Sequence, residues 1–121
     1  MGHYKELLAY QKAYELAMKV FHISKRFPSE EKYSLTDQIR RSSRSVPSNI
    51  AEAWRKRRYP KHFISKLTDS LAEESEIEVW LDYSKDLKYI GKEEHDYFIA
   101  KYDEVARMLV SMIDNPDKFC H

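Results

Sequence analysis

The chain has 121 residues, 42% of them hydrophobic and 34% charged, which suits one domain with a real core and a heavily wetted surface. Two glycines and four prolines are too few for a sandwich or barrel, whose frequent reversals consume turn residues. The formal net charge of +1 excludes a polycation, so any attraction to nucleic acid has to come from local segregation of charge.

Pro28, Pro60, Gly91 and Pro116 punctuate the chain into segments of helical length. In the first, Leu7, Tyr14, Ala17 and Phe21 recur at helical spacing, with Leu8 and Val20 widening the stripe, which predicts a helix over about 4–25. Pro28 disfavours helix at Phe27 and ends it, and Ser29 or Ser34 can cap the next. The second helix is expected over about 33–58 and the third over about 60–89, with Pro60 in its first turn and Gly91 as a stop. The fourth, about 92–113, has the cleanest period: Phe98, Ile99, Tyr102, Val105, Ala106, Leu109, Met112 and Ile113. The closing NPDKFCH reads as a frayed tail. Four helices with short connections make a single all-α domain, an antiparallel up-down-up-down four-helix bundle.

The second helix contains RRSSRSVPSNIAEAWRKRR. At about 100° per residue, Leu35, Ile39, Val46, Ile50, Ala53 and Trp54 fall on one side, and Arg40, Arg41, Arg44 and Arg55 on the other. The apolar stripe keeps its phase across Pro47, which favours one helix over two joined by a turn. Pro47 removes the bond to the Ser43 carbonyl at a cost of about 3 kcal/mol. The hydroxyls of Ser42, Ser43, Ser45 or Ser48 are candidates to satisfy freed backbone groups.

Two readings of these arginines stay open. Arg40, Arg41 and Arg44 either form a stripe for phosphate backbones or pair with acids of the third helix, where Glu73, Glu74, Glu76, Glu78 and Asp82 are available and Glu74 and Glu78 lie near the apolar side. Arg55, Lys56, Arg57, Arg58 and Lys61 have few local acids and a helix end nearby, which favours an exposed basic patch. Ile77, Val79, Trp80, Leu81 and Tyr83 point around most of the third helix, so a second chain is expected to cover part of it.

Other chemistry is sparse. The histidines at 3, 22, 62, 95 and 121 share no ligand spacing, and Asp69, Glu73 and Glu76 read as a solvated edge, so no metal or cofactor is expected. His95 reads as a surface or edge residue. There is no glycine-rich phosphate loop. Arg57, Arg58 and His62 in RRYPKH resemble the Arg-x-x-x-x-His element of the all-helical HEPN ribonucleases, but no supporting carboxylate or nucleophile accompanies them. Cys120 is the one cysteine, consistent with a reducing compartment. No leader, membrane span or myristoylation site is apparent, so a cytoplasmic protein is expected.

The stretches FPSEEKYSLTDQIRRSSRSVPSNIAEAWRKR and FISKLTDSLAEESEIEVWLDYSKDLKYI resemble the four-helix-bundle proteins encoded in 23S rRNA intervening sequences. Those proteins show FP-x-x-E-x-Y-x-L-x-x-Q-x-R-R-A-x-x-S-(I/V)-P-x-N-I-A-E-G followed by S-L-x-E. The likeness runs from Tyr4 to Ile113, and departs at Ser42, where the family usually has Ala, and at Ala53, where it has Gly. It carries the family motif onto Gln38, Arg40, Arg41, Ser45, Pro47, Asn49, Glu52 and Glu74. It implies a homopentamer of bundles around a channel, with Gln38, Asn49, Glu52, Glu74 and Glu78 as a structural or oligomer polar network. It is also similar in fold to the accessory variability determinant of diversity-generating retroelements, a basic protein that associates with nucleic acid and a reverse transcriptase. The expectation is therefore a non-enzymatic homo-oligomer binding RNA or DNA through Arg40, Arg41, Arg44, Arg55, Lys56, Arg57, Arg58 and Lys61. The alternatives are a protein-interaction scaffold whose arginines serve the oligomer, and a HEPN-like ribonuclease.

Overall fold

The computed structural model describes residues 2–121. Four α-helices carry the chain: α1 (Leu8–Ser24), α2 (Leu35–Arg55), α3 (Pro60–Asp86) and α4 (Lys92–Asp114), with short 3-10 helices at Tyr4–Glu6, Ser29–Glu31 and Pro116–Lys118. Each α-helix packs on its sequence neighbours, α1 closes the ring on α4, and the diagonal pairs do not meet. With short connections, that adjacency is the expected antiparallel four-helix bundle. Val20, Ile39, Val46, Ile50, Phe63, Leu67, Ile77, Leu81, Val105 and Leu109 are completely buried along its axis.

The helix ends differ from the sequence expectation for local reasons. Leu7 is extended, so the 3-10 helix at Tyr4–Glu6 stands apart from α1. α2 stops at Arg55 because the residue before Pro60 is pushed to an extended conformation, Tyr59 at φ −122°, ψ 93°. α3 ends at Asp86 and not near Tyr89. Lys88 takes a left-handed conformation, φ 65°. Tyr89 N–H then bonds the Ser84 carbonyl at 2.8 Å and Lys88 N–H the Lys85 carbonyl at 2.9 Å, the two bonds of a Schellman motif with lysine where glycine is usual. Gly91 serves the other side of the turn as the N-cap of α4, its N–H bonded to Glu94 Oε1 at 2.9 Å. Glu94 also takes both terminal nitrogens of Arg26, at 2.5 and 3.0 Å, which ties the end of α1 to the start of α4. The tail is not frayed: Phe119 stacks on core Phe63 with ring centroids 6.0 Å apart.

α2 passes through Pro47 as one helix. Ser43 and Ser45 hydroxyls bond the Arg40 and Arg41 carbonyls one turn back, at 3.0 and 2.9 Å. The bond beside the proline comes from the neighbouring helix: Ser70 Oγ on α3 donates to the Val46 carbonyl at 2.8 Å, fully buried. Ser42, offered from sequence as another such donor, is buried.

Three titrating groups sit inside the fold. Glu74 of α3 is 1% exposed, its Oε1 without a hydrogen-bond partner. Burial, then the neighbouring Glu78, holds its pKa well above the usual carboxylate range. The Tyr102 hydroxyl is likewise buried without a partner, and burial together with the Glu74 charge raises its pKa. His95 is buried rather than superficial, with Nε2 at 2.7 Å from Asp82 of α3 and Nδ1 at 3.0 Å from Asp96. Burial acts to lower its pKa, and the two aspartates outweigh that and raise it.

Glu74 and His95 make opposite predictions for substitution. Unfolded Glu74 loses its proton above its ordinary value of 4.5 while the folded state keeps it. Stability therefore falls as pH rises through that window, by up to about 1.4 kcal/mol per pH unit. Glu74→Gln raises the thermal midpoint near pH 8 and leaves it unchanged near pH 4. The His95 contribution is complete below the ordinary histidine value of 6.5 and is lost as pH rises through the raised folded value. His95→Gln lowers the midpoint near pH 5.5 and has little effect near pH 9. Circular-dichroism melts across this range check both.

Candidate nucleic-acid interface

The basic residues of α2 separate into two groups. Arg44 and Arg55 are eleven positions apart, so they stand on one stripe about 16 Å from end to end. In the first group, Arg40 is half-buried, its Nε donating to Ser24 Oγ at 2.7 Å and its guanidinium 4.6 Å from the centroid of Phe21 on α1. Arg44 is exposed, 5.7 Å from the same ring. Arg41 is exposed and 3.9 Å from Asp37 one turn earlier, a contact of little energetic weight at this exposure. Among the described residues none of the three forms an ion pair with a carboxylate of α3. The possible pairing with Glu74 or Glu78 is thus not what holds α2 to α3; buried apolar side chains and the Ser70 bond do that.

The second group gathers where α2 turns into α3. Arg57 lies 3.6 Å over the Trp54 ring, and its Nε donates to the Trp54 carbonyl at 2.9 Å. Arg55 stands 5.9 Å over the Tyr4 ring. Lys56, Arg58 and Lys61 are exposed and make no ion pair among the described residues. Gly2, His3, Tyr4, Trp54, Arg55, Arg57, Arg58 and His121 enclose a hollow of about 300 Å³ here. Three arginines and no carboxylate side chain line it, with Glu6 behind Gly2 at its edge, so its field is positive. The sequence reading found the arginines but not Trp54 or Tyr4 as their supports. The three-residue spacing of Trp54 and Arg57 was the available signal, since it puts a cation over an aromatic face on one turn.

The residues carried over as a polar network do not form one within the protomer. Glu52 is on the surface, paired with Lys66 of α3 at 2.7 Å, and that contact raises the Lys66 pKa. Glu74 and half-buried Glu78 are two neighbouring acids. Asn49 and Gln38 are half-buried and make no side-chain hydrogen bond among the described residues. His62 is exposed beside Tyr59, with ring centroids 5.5 Å apart. No carboxylate or nucleophile among the described residues is bonded to it.

Two apolar faces are left open, one on each side of α2. Between α1 and α2, Tyr10, Tyr14, Ala17, Met18, Phe21, Pro47 and Ala51 line a groove of about 580 Å³. Between the start of α2 and the end of α3, Tyr33, Leu35, Gln38, Trp80, Tyr83 and Leu87 line a second of about 480 Å³. Tyr33 is 86% exposed and Tyr14 and Tyr83 more than half so, which exceeds the scattered apolar exposure of an ordinary surface. Among the described residues no group of His, Cys, Asp and Glu is placed to hold a metal, and no helix is long and apolar enough to cross a membrane.

The fold and these surfaces define a small all-α bundle with a segregated basic end and uncovered apolar flanks. The family model described as 23S rRNA-intervening sequence protein matches residues 5–111, and the chain belongs to that family. A solved structure from Bacteroides thetaiotaomicron, described as a protein of unknown function from the S23 ribosomal protein family, is similar at 30% identity. It aligns over 88% of this chain and 96% of its own with a TM-score of 0.80. Comparison with curated proteins returned no match.

The contrast between the two arginine groups is measurable. Arg40→Ala removes a part-buried hydrogen bond and a cation–aromatic contact, so it costs about 1–2 kcal/mol in urea denaturation. Arg58→Ala removes an exposed, unpaired side chain and stays within about 0.5 kcal/mol of the parent.

Proposed function

We propose that the protein is a non-enzymatic, self-assembling bundle that binds the backbone of RNA or DNA. The observation that carries this reading is the run Arg55, Lys56, Arg57, Arg58 and Lys61. It collects five cations at one end of a chain of near-neutral net charge and gives none of them a carboxylate partner among the described residues. Phosphate neutralisation with release of counterions is a use that suits such a cluster. Arg41 and Arg44 extend the stripe along α2, and Arg40 serves the fold first.

Assembly is supported by the two apolar flanks. They are unlike each other; one flank of a copy set against the other flank of the next is a head-to-tail contact, which makes a ring where the rotation closes. Both flanks border α2, so every copy in such a ring presents its α2 arginines to the same side. The count of five comes from the family resemblance.

A fluorescence-anisotropy titration of single- and double-stranded RNA and DNA at several salt concentrations tests the binding. The expected log–log salt slope is negative, with about 0.7–0.9 units for each phosphate neutralised. Absence of binding at low salt, or binding indifferent to salt, sinks the reading. Arg58→Glu with Lys61→Glu weakens binding at least tenfold without shifting the thermal midpoint. Light scattering on the eluting protein gives a mass of several protomers, and Tyr83→Asp lowers it; a monomer at high concentration removes the assembly. RNA cleavage by the parent that disappears in His62→Ala returns the ribonuclease reading.

A further inference from the structure

On the footing of nucleic-acid binding at the basic end, we propose that the hollow between the amino-terminal residues and the α2–α3 turn takes a terminal phosphomonoester of a nucleic-acid strand, with the terminal nucleoside against Tyr4. Backbone binding needs only a convex row of cations, because an internal phosphodiester lies on the outside of a strand. Here the cations surround a concavity. At about 300 Å³ it stands at the small end of ligand pockets, which span about 300–1,000 Å³. A protruding end group fits such a space and a continuous backbone does not.

The charge matches the same ligand. Arg55, Arg57 and Arg58 line the hollow and no carboxylate side chain does. An internal diester brings one negative charge, whereas a monoester carries about −1.5 to −2 near pH 7 with three acceptor oxygens. Guanidinium groups bind such oxygens in pairs. Arg57 is already oriented by its bond to the Trp54 carbonyl and its stacking on Trp54, so little side-chain freedom is lost on binding. The hollow also contains a neutral donor. His3 Nδ1 accepts from the Lys5 N–H at 3.2 Å, which in the neutral ring puts the proton on Nε2 and makes that nitrogen a donor. Trp54 lines the same space as the support on which Arg57 stacks. The Tyr4 ring stands in an aromatic wall, with His3 at 4.4 Å and Tyr10 at 5.0 Å between centroids and Arg55 over the ring, and a base stacks there by taking the place of His3 or Arg55.

The test is anisotropy with one single-stranded 12-mer made with a 5′-phosphate, a 3′-phosphate or hydroxyls at both ends, and adenosine monophosphate as competitor. One phosphorylated end binds at least tenfold tighter than the hydroxyl strand, Arg58→Ala abolishes that difference, and Arg107→Ala on the far helix preserves it. Equal affinity for all three strands, or a preference that survives Arg58→Ala, overturns the end-group site while backbone binding stands. Adenosine monophosphate binding as tightly as the phosphorylated strand assigns the same chemistry to a free nucleotide and overturns the strand end. If none of the strands binds at low salt, it is the nucleic-acid reading itself that fails.

Discussion

The bundle depends on α2 remaining one helix across Pro47. A proline there removes a backbone bond in the middle of a helix that contributes Ile39, Val46 and Ile50 to the core. Had the chain turned at that point, the apolar stripe would have lost phase, and Arg44 and Arg55 would no longer share a side. The carbonyl left without its helical donor is that of Ser43; the buried bond from Ser70 to the Val46 carbonyl instead ties the residue before the proline to α3. It belongs to the α2–α3 interface, the most extensive in the molecule, so the helix is held straight through by packing against its neighbour rather than by its own propensity. Ser70 reaches the Val46 carbonyl from a completely buried position on α3.

Holding α2 together also decides where charge goes. Several acids of α2, α3 and α4 have basic partners: Glu52 and Asp69 share Lys66, Asp96 has Lys92 and His95, Asp103 has Arg107, and Glu94 has Arg26. Glu74 is removed from the electrostatic balance altogether by burial, which favours its neutral form. None of these acids pairs with the cations at the end of α2. A chain that is nearly neutral overall thereby acquires one strongly positive end, and each acid–base pair elsewhere sharpens it.

The sequence is a good guide where one period dominates. The four helices, the continuity of α2 through Pro47 and the exposure of Val79 and Tyr83 all follow from helical spacing alone. It is a poor guide where a decision rests on one conformation or on a contact between distant segments. Gly91 marks the α3–α4 connection, yet the left-handed residue is Lys88, because the local backbone bonds to Ser84 and Lys85 outweigh its modest strain. Phe119 looks like part of a frayed tail, since only the fold puts Phe63 beside it. His95 looks incidental, since Asp82 stands thirteen residues away. The same blindness affects the candidate site. Its arginines are visible as composition, but Tyr4, His3 and His121 join them only because the bundle brings both ends of the chain to the α2–α3 turn.

That meeting of chain ends separates two kinds of basic residue that composition merges. Arg40 has its hydrogen bond and its aromatic neighbour inside the bundle, and it contributes to the α1–α2 contact whether or not a ligand is present. Arg57 is also held by aromatic and backbone contacts, but these lie at the rim of a hollow, so they orient a charge that still has no counterion. Arg58 and Lys61 have neither support nor partner. A gradient therefore runs along one stripe of α2, from arginine used by the fold, through arginine positioned by it, to cations left free. Backbone binding requires only the last; a concave end-group site requires the middle member as well, and Trp54 is the residue that makes Arg57 one.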